Sequence, residues 1–133
     1  MATRSRIAIE NQDGTVTSIY CHFDGYLSGV GKTLFEHYDR EKTEKLMELG
    51  DISVLNESTE STIQHYLNQA YHRDRDEDLN FATFPNVEDL FENGFGSVIE
   101  YVYCLTKDGI WLVQKYNSSH VDILKEKLEE EGI

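Results

Sequence analysis

The sequence has very little proline and cysteine and no long apolar run, and each shortage excludes a class of protein. One proline and two cysteines in 133 residues rule out a proline-rich chain and a disulfide scaffold. Cys21 and Cys104 each lie in an apolar run, so we expect buried free thiols. No window approaches 18 apolar residues, and residues 1–6 are not followed by the apolar region of a signal peptide. We therefore expect a cytoplasmic protein without membrane contact.

Basic residues are also scarce. Twelve Lys and Arg stand against 25 Asp and Glu, which gives a formal net charge of −13 spread along the chain. A field of this sign repels nucleic acid phosphate, so we expect no direct binding of DNA or RNA. The same field attracts a basic partner protein. The alternative is that the charge serves only solubility.

What the chain does contain predicts a single globular domain over residues 1–133. Hydrophobic residues make up 39% of the sequence and aromatic residues 11%, including eight Tyr and six Phe. This is more apolar surface than a disordered chain carries. We find no internal repeat and no linker, and the length suits one core.

Hydrophobic periodicity predicts an α+β fold. Residues 6–10 and 15–23 alternate around a Gly-containing turn, and residues 97–105 and 110–115 flank the turn 106–109, so two hairpins are expected. The spacing of apolar residues predicts a first helix over 27–38, with Ser28 as its cap, and a second over 40–49, capped by Asp39. A third, short helix is expected to begin at Pro85 and Asn86. A capping box at 119–122 predicts the start of a C-terminal helix. The predicted architecture is an antiparallel sheet of four to five strands, built from two hairpins and covered by three to four helices. Residues 51–85 remain without a clear assignment.

Two incomplete motifs exclude common ligand sites. Residues 28–33 resemble the end of a phosphate-binding P-loop, but Tyr26 occupies the position of its first glycine. Asp74 begins an alternation of aspartates like that of an EF-hand, but Leu79 and Pro85 replace its glycine and its bidentate glutamate. The sequence therefore predicts no cofactor and no metal.

The most unusual segment is residues 20–26. Tyr20, His22 and Asp24 share one face of a strand, and Tyr26 begins the loop that follows. An imidazole and a carboxylate at a strand end could transfer a proton, which makes an enzyme using His22 and Asp24 one hypothesis. The structural alternative is that Asp24 lies in a turn and His22 is hydrogen-bonded locally.

A second candidate binding group is Tyr71 with Arg73 and Arg75, a close pair of arginines. Tyr71 could stack a base while the arginines hold a phosphate. The alternative is a core tyrosine beside a solvated charge run with internal counter-ions. We expect these residues to converge with the segment 22–26 on one functional surface.

The sequence resembles a small family of proteins, largely without assigned function, from tailed bacteriophages and prophages. The matching segments are Arg6-Ile-Ala-Ile-Glu10, Asp13-Gly14, Ser18-Ile-Tyr20, His22-Phe-Asp-Gly-Tyr26, Gly31, Leu34, His37-Tyr38 and Leu49-Gly-Asp-Ile-Ser53, with weaker matches at Ala70-Tyr-His-Arg-Asp-Arg75 and from Glu100-Tyr-Val-Tyr103 to Trp111. Family members more often carry Trp where this chain has Phe23. The resemblance implies a viral protein in the cytoplasm of an infected bacterium and supplies no catalytic residues.

Charge and resemblance together favour a non-enzymatic phage accessory protein. Small acidic phage proteins are often factors that bind and inhibit host machinery, including anti-phage defence, and this expectation rests on analogy. Our leading hypothesis is a protein that inhibits or redirects a host component with a basic surface. The second is a sequestering protein for a small nucleotide signal, and the enzyme ranks third. The sequence leaves a homo-oligomer open.

Overall fold

The structure, a computed structural model, describes residues 3–57 and 81–133. Within these ranges the strands are β1 (Ser5–Glu10), β2 (Val16–Cys21), β3 (Ala82–Phe84), β4 (Tyr101–Leu105), β5 (Trp111–Lys115) and β6 (Asp122–Ile123). The α-helices are α1 (Lys32–His37), α2 (Arg40–Leu49), α3 (Val87–Asn93) and α4 (Leu124–Glu130). A π-helical turn, Leu27–Gly31, leads directly into α1.

All six strands form one mixed sheet in the order β3-β2-β1-β4-β5-β6. The two predicted hairpins are confirmed, because β1 pairs with β2 and β4 pairs with β5 in antiparallel registers. The hairpins are joined by a parallel pairing of β1 with β4, in which Ser5 lies opposite Tyr101. The fold class α+β is therefore correct, and the expectation of an antiparallel sheet of four to five strands is inexact. The difference arises because β1 and β4 lie at the centre of the sheet and pair in parallel. Both are largely buried, as strands of parallel pairs usually are.

Alternate side chains of the sheet enter two separate apolar clusters. We call the side covered by α1, α2 and α4 the helical face, and the side covered by α3 the α3 face. The helical face joins sheet residues to these helices, with the members Ile7, Ile9, Ile19, Tyr103, Trp111, Val113, Leu34, Leu46, Met47, Leu124 and Leu128 among others. The α3 face has a smaller cluster of Ala8, Val16, Leu90, Phe91, Ile99, Val102 and Cys104. The predicted packing of the C-terminal helix on the sheet is confirmed by Leu124 and Leu128.

Two helix caps confirm the sequence prediction at residue level. Asp39 precedes α2, and its Oδ1 accepts a hydrogen bond of 2.9 Å from the backbone N–H of Lys42. Asn86 precedes α3, and its Oδ1 accepts one of 2.7 Å from the N–H of Asp89. Gly50 ends α2 with a φ of 71°, a value that favours glycine. These short-range signals were readable because they depend only on the local backbone.

The starts of two other helices differ from the prediction. The capping box at 119–122 does not form, because Asp122 and Ile123 pair with β5 as β6 and α4 begins only at Leu124. Ser28 does not cap the first helix, which begins in the π-helical turn after Tyr26. There the N–H of Val30 donates to the carbonyl oxygen of Asp24. In both places a tertiary or turn hydrogen bond determines where the helix begins.

The two cysteines are buried free thiols, as predicted. Burial raises the pKa of Cys21 and that of Cys104 to about 12, so neither is a thiolate near neutral pH. None of the helices described within 3–57 and 81–133 combines the length and the apolar character that crossing a bilayer requires.

Candidate functional site

Tyr20 and His22 contact each other at the end of β2. The Tyr20 hydroxyl lies 2.6 Å from Nδ1 of His22. Burial, and after it the charge of Arg4, lower the pKa of His22, and burial is the largest of the influences that raise the pKa of Tyr20. Near neutral pH both groups are therefore uncharged, so we assign the hydroxyl as donor, Nδ1 as acceptor and the ring proton to Nε2.

Asp24 and Tyr26 form a second pair in the turn that follows. Asp24 has a φ of 59°, which aspartate tolerates better than most residues. The Tyr26 hydroxyl donates to Oδ1 of Asp24 at 3.1 Å, and this hydrogen bond to a carboxylate raises the pKa of Tyr26. The side chains of both residues are exposed. This pair consequently stabilises the local turn and stays accessible to a partner.

Gly25 fixes this turn against the sheet. Its N–H donates to Thr3 at 2.8 Å, and its carbonyl accepts from the buried Tyr103 hydroxyl at 2.7 Å. A Cβ atom here would lie 2.7 Å from the Thr3 carbonyl oxygen and 2.8 Å from Cβ of Ser5. Only glycine fits this approach without displacing β1. The segment that carries His22 and Asp24 is thus held by the core.

The predicted site residues separate into two pairs. In the part of the chain that the structure describes, no hydrogen bond or ion pair joins His22 to Asp24, and the pairs are Tyr20 with His22 and Asp24 with Tyr26. A proton relay between imidazole and carboxylate needs hydrogen-bond contact. Tyr71, Arg73 and Arg75 lie outside the described residues, so their convergence with this segment stays a prediction.

The segment that resembles a P-loop uses its amides internally. The N–H groups of Gly29 and Gly31 donate to the carbonyl oxygen of Tyr26, and that of Val30 donates to Asp24. A phosphate-binding loop keeps such N–H groups free for the ligand. A Cβ on Gly31 would lie 3.2 Å from the Tyr103 hydroxyl. This glycine therefore serves close packing, which agrees with the failed motif spacing.

A groove of about 580 Å³ lies between α3, β5 and the loop that precedes β6. We call it the acidic groove, and its lining residues are Val87, Glu88, Phe91, Glu92, Leu112, Gln114, Ser119, His120 and Val121. Phe91 and Leu112 belong to the cluster of the α3 face, and Val121 is 39% exposed. No lysine or arginine is among these residues. The groove therefore combines an apolar floor with carboxylates.

Glu88 and Glu92 supply the charge of the groove. They stand four residues apart on α3, which places them on the same side of the helix. Both are exposed, and among the ion pairs of the described residues neither carboxylate has a cationic partner. A cationic group with an apolar stem, such as Lys or Arg, would satisfy the carboxylates and the floor together.

Sequence reasoning did not identify the acidic groove. The available signal was the run Glu88, Asp89 and Glu92 in a helix without any basic residue. This signal could not show the apolar floor, because the floor is completed by Leu112 and Val121 from a distant part of the chain. Within the described ranges, no group of three or more His, Cys, Asp or Glu side chains is arranged to hold a metal ion.

In comparisons with known proteins, no family model, no curated protein and no solved structure matches this chain.

Proposed function

We propose that this chain is a non-enzymatic accessory protein of a tailed bacteriophage that binds a host component with a basic surface, and that the acidic groove is the contact. The observation that carries the binding proposal is the pair Glu88 and Glu92, without ionic partners, beside the apolar floor formed by Phe91 and Leu112. The phage origin and an anti-phage defence target are supported only by the sequence resemblance. Inhibition or redirection of that component would follow from occupying its basic surface.

The physical basis of binding has two parts. The net charge of −13 steers a basic partner toward this surface and raises the association rate. Affinity then comes from burying apolar side chains of the partner on the floor while its cationic heads pair with the two carboxylates. Specificity arises because both conditions must be met at the spacing of Glu88 and Glu92.

The geometry favours binding over catalysis. His22 accepts from Tyr20 and Asp24 accepts from Tyr26, so the proposed acid and base are engaged with different groups. The nucleotide hypothesis depends on Tyr71, Arg73 and Arg75, which the described residues do not include. It stays a prediction from the sequence and receives no support from the groove.

The test compares two charge-reversed variants with the wild type. The groove variant is Glu88→Lys with Glu92→Lys, and the control is Glu126→Lys with Glu129→Lys, which makes the same change in net charge on α4. Tagged proteins are produced in infected bacteria, and their partners are quantified by mass spectrometry. We expect one host protein to be retained by the wild type and the control and lost from the groove variant.

Affinity for that host protein is then measured at low and high salt. Exposed charges are screened beyond a Debye length of about 8 Å at 0.15 M, so we expect binding to weaken steeply with salt. Equal loss from both variants would show that only net charge matters. Affinity independent of salt, or the absence of any host protein that distinguishes the variants, would refute the proposal.

A further inference from the structure

A second cavity, of about 460 Å³, opens on the helical face. We call it the aromatic cleft, and its lining residues are Phe35, Tyr38, Asp39, Arg40, Leu105, Gly109, Ile110, Trp111, Ile123 and Lys125. It lies between α1, the turn of the β4–β5 hairpin and β6, and it shares no lining residue with the acidic groove. Its volume is in the range of small-molecule sites, which is about 300–1,000 Å³.

The rim of the aromatic cleft is unusually apolar for an exposed surface. Phe35 is 43% exposed, Ile110 47% and Ile123 40%. These three side chains come from a helix, a turn and a strand, and they converge on one cavity. Large apolar side chains that gather in this way mark a binding site, whereas single exposed ones need no explanation.

The floor of the cleft is fixed before any ligand enters. Nε1 of Trp111 donates to the carbonyl oxygen of Tyr38 at 3.0 Å, and the Tyr38 hydroxyl donates to the carbonyl oxygen of Asn56 at 2.7 Å. Both aromatic side chains are buried, with 6% and 4% of their surface exposed. Because these polar atoms already have partners, an apolar ligand can cover the floor without leaving them unsatisfied.

Of the charged side chains that line the cleft, Lys125 alone has neither an ion pair nor a hydrogen bond of its charged group among the described residues. Arg40 donates to the Glu10 carbonyl oxygen and pairs with Glu44 at 3.3 Å. Asp39 accepts from the N–H of Lys42 as the cap of α2. Lys125 is exposed, and no ion pair within the described residues includes it. In a chain of net charge −13, its ammonium is a positive charge available to an anionic ligand at the cleft.

We propose that the aromatic cleft binds a small amphipathic carboxylate. Its flat or branched apolar body contacts Trp111 and Phe35, and its carboxylate pairs with Lys125. The single ammonium matches one negative charge, while Asp39 disfavours a dianion such as a phosphate monoester and Lys125 disfavours an amine. The proposal is independent of the acidic groove, because it concerns another cavity with the opposite free charge.

The only tryptophan of the chain lies in this floor, so its fluorescence reports occupancy directly. The full chain is titrated with 3-phenylpropionate, 3-phenylpropionamide and 3-phenylpropylamine, which share one apolar body and differ in charge. We expect a saturable change in emission with the carboxylate, binding of the amide weaker by about two- to fivefold as for an exposed ion pair, and no saturable change with the amine.

Two variants of one helix separate the role of Lys125 from general charge. Lys125→Gln should bind the carboxylate and the amide equally. Lys127→Gln, whose lysine pairs with Glu130 at 3.6 Å and lines a different cavity, should keep the preference of the wild type. Ile110→Asp, an exposed turn position, should abolish saturable binding while circular dichroism remains unchanged.

Three results would overturn the proposal. One is equal binding of carboxylate and amide to the wild type. Another is loss of the preference in Lys127→Gln as well as in Lys125→Gln. The third is a change in tryptophan emission on dilution of the protein alone, because a second copy of the chain would then occupy the cleft. None of these results depends on whether the acidic groove binds a host protein.

Discussion

The two faces of the sheet differ in what they contain. On the helical face, three helices cover a large cluster in which Leu34, Leu46 and Leu124 are fully buried. On the α3 face, the described residues include one short helix, a cluster less than half that size and, between its members, polar side chains such as Arg6, Ser18 and Tyr20. Apolar burial is the main stabilising contribution to a fold. Among the described residues, the helical face therefore carries most of the apolar burial, and the α3 face carries more polar side chains.

The first prediction compares equivalent leucines on the two faces. Leu34→Ala should lower the free energy of unfolding by about 3–5 kcal/mol, because its fully buried side chain packs in the larger cluster, where we expect little collapse of the resulting cavity. Leu90→Ala on α3 should cost about 2–3 kcal/mol, since the smaller cluster can relax around it. Urea denaturation measures both. A larger loss for Leu90→Ala would break the comparison.

The second prediction concerns the turn that fixes the segment 22–26. Gly25→Ala should cost about 1–3 kcal/mol because the added methyl group meets Thr3 and Ser5. Gly14→Ala is the control: Gly14 has a φ of 88° but no atom within 4 Å of an added Cβ, so only backbone strain of about 1 kcal/mol applies. Thermal unfolding of both variants checks this. Equal losses would show that close packing at Gly25 is unimportant.

The third prediction addresses a polar residue on the α3 face. Nε of Arg6 donates to the Gly94 carbonyl oxygen at 2.8 Å and Nη1 donates to Ser18 at 3.1 Å, although burial lowers the Arg6 pKa. Arg6→Met should cost about 1–2 kcal/mol, since it leaves the acceptors without a donor. Lys45→Met, at an exposed position of α2, should change stability by less than about 0.5 kcal/mol. If chemical denaturation gives both variants the same stability, Arg6 is not structural.

The smallest expected effect is a dependence of stability on pH. The pKa of His22 is lowered in the folded protein from 6.5, so below about pH 6.5 the unfolded chain binds a proton more readily than the folded one. Stability should therefore fall as pH decreases from that value, and His22→Gln should reduce the slope. Unfolding midpoints between pH 7.5 and 5 measure it. An unchanged slope would mean that His22 titrates alike in both states.

Sequence reasoning predicted those features of the fold that depend on neighbouring residues. The hairpins, the cap residues Asp39 and Asn86 and the turn at Gly50 follow from alternation, local hydrogen bonds and backbone conformation, and all are present. It could not find the parallel pairing of β1 with β4, because periodicity within a strand does not identify its neighbour. It also missed β6. Asp122 and Ile123 fit the pattern of a helix start, but they pair with the edge strand β5.

The candidate site was predictable only in part, because local patterns do not show which distant segments come into contact. Alternation along β2 correctly places Tyr20 and His22 on one side, where they form a hydrogen bond. The positive φ of Asp24 turns its side chain toward Tyr26 instead. The acidic groove and the aromatic cleft combine residues from distant segments, so no local sequence pattern predicts them. Their charges were visible in the sequence, but their apolar floors were not.

The parallel pairing at the centre of the sheet also determines when the protein can fold. β1 is synthesised long before its partner β4, which begins at Tyr101. Until then the β1–β2 hairpin has an unpaired edge, and such an edge can join the strands of another chain. Contacts between distant segments slow folding because the loop between them must first be closed. The central pairing should therefore form only after β4 has been synthesised, and slow translation between β2 and β4 would prolong exposure of that edge.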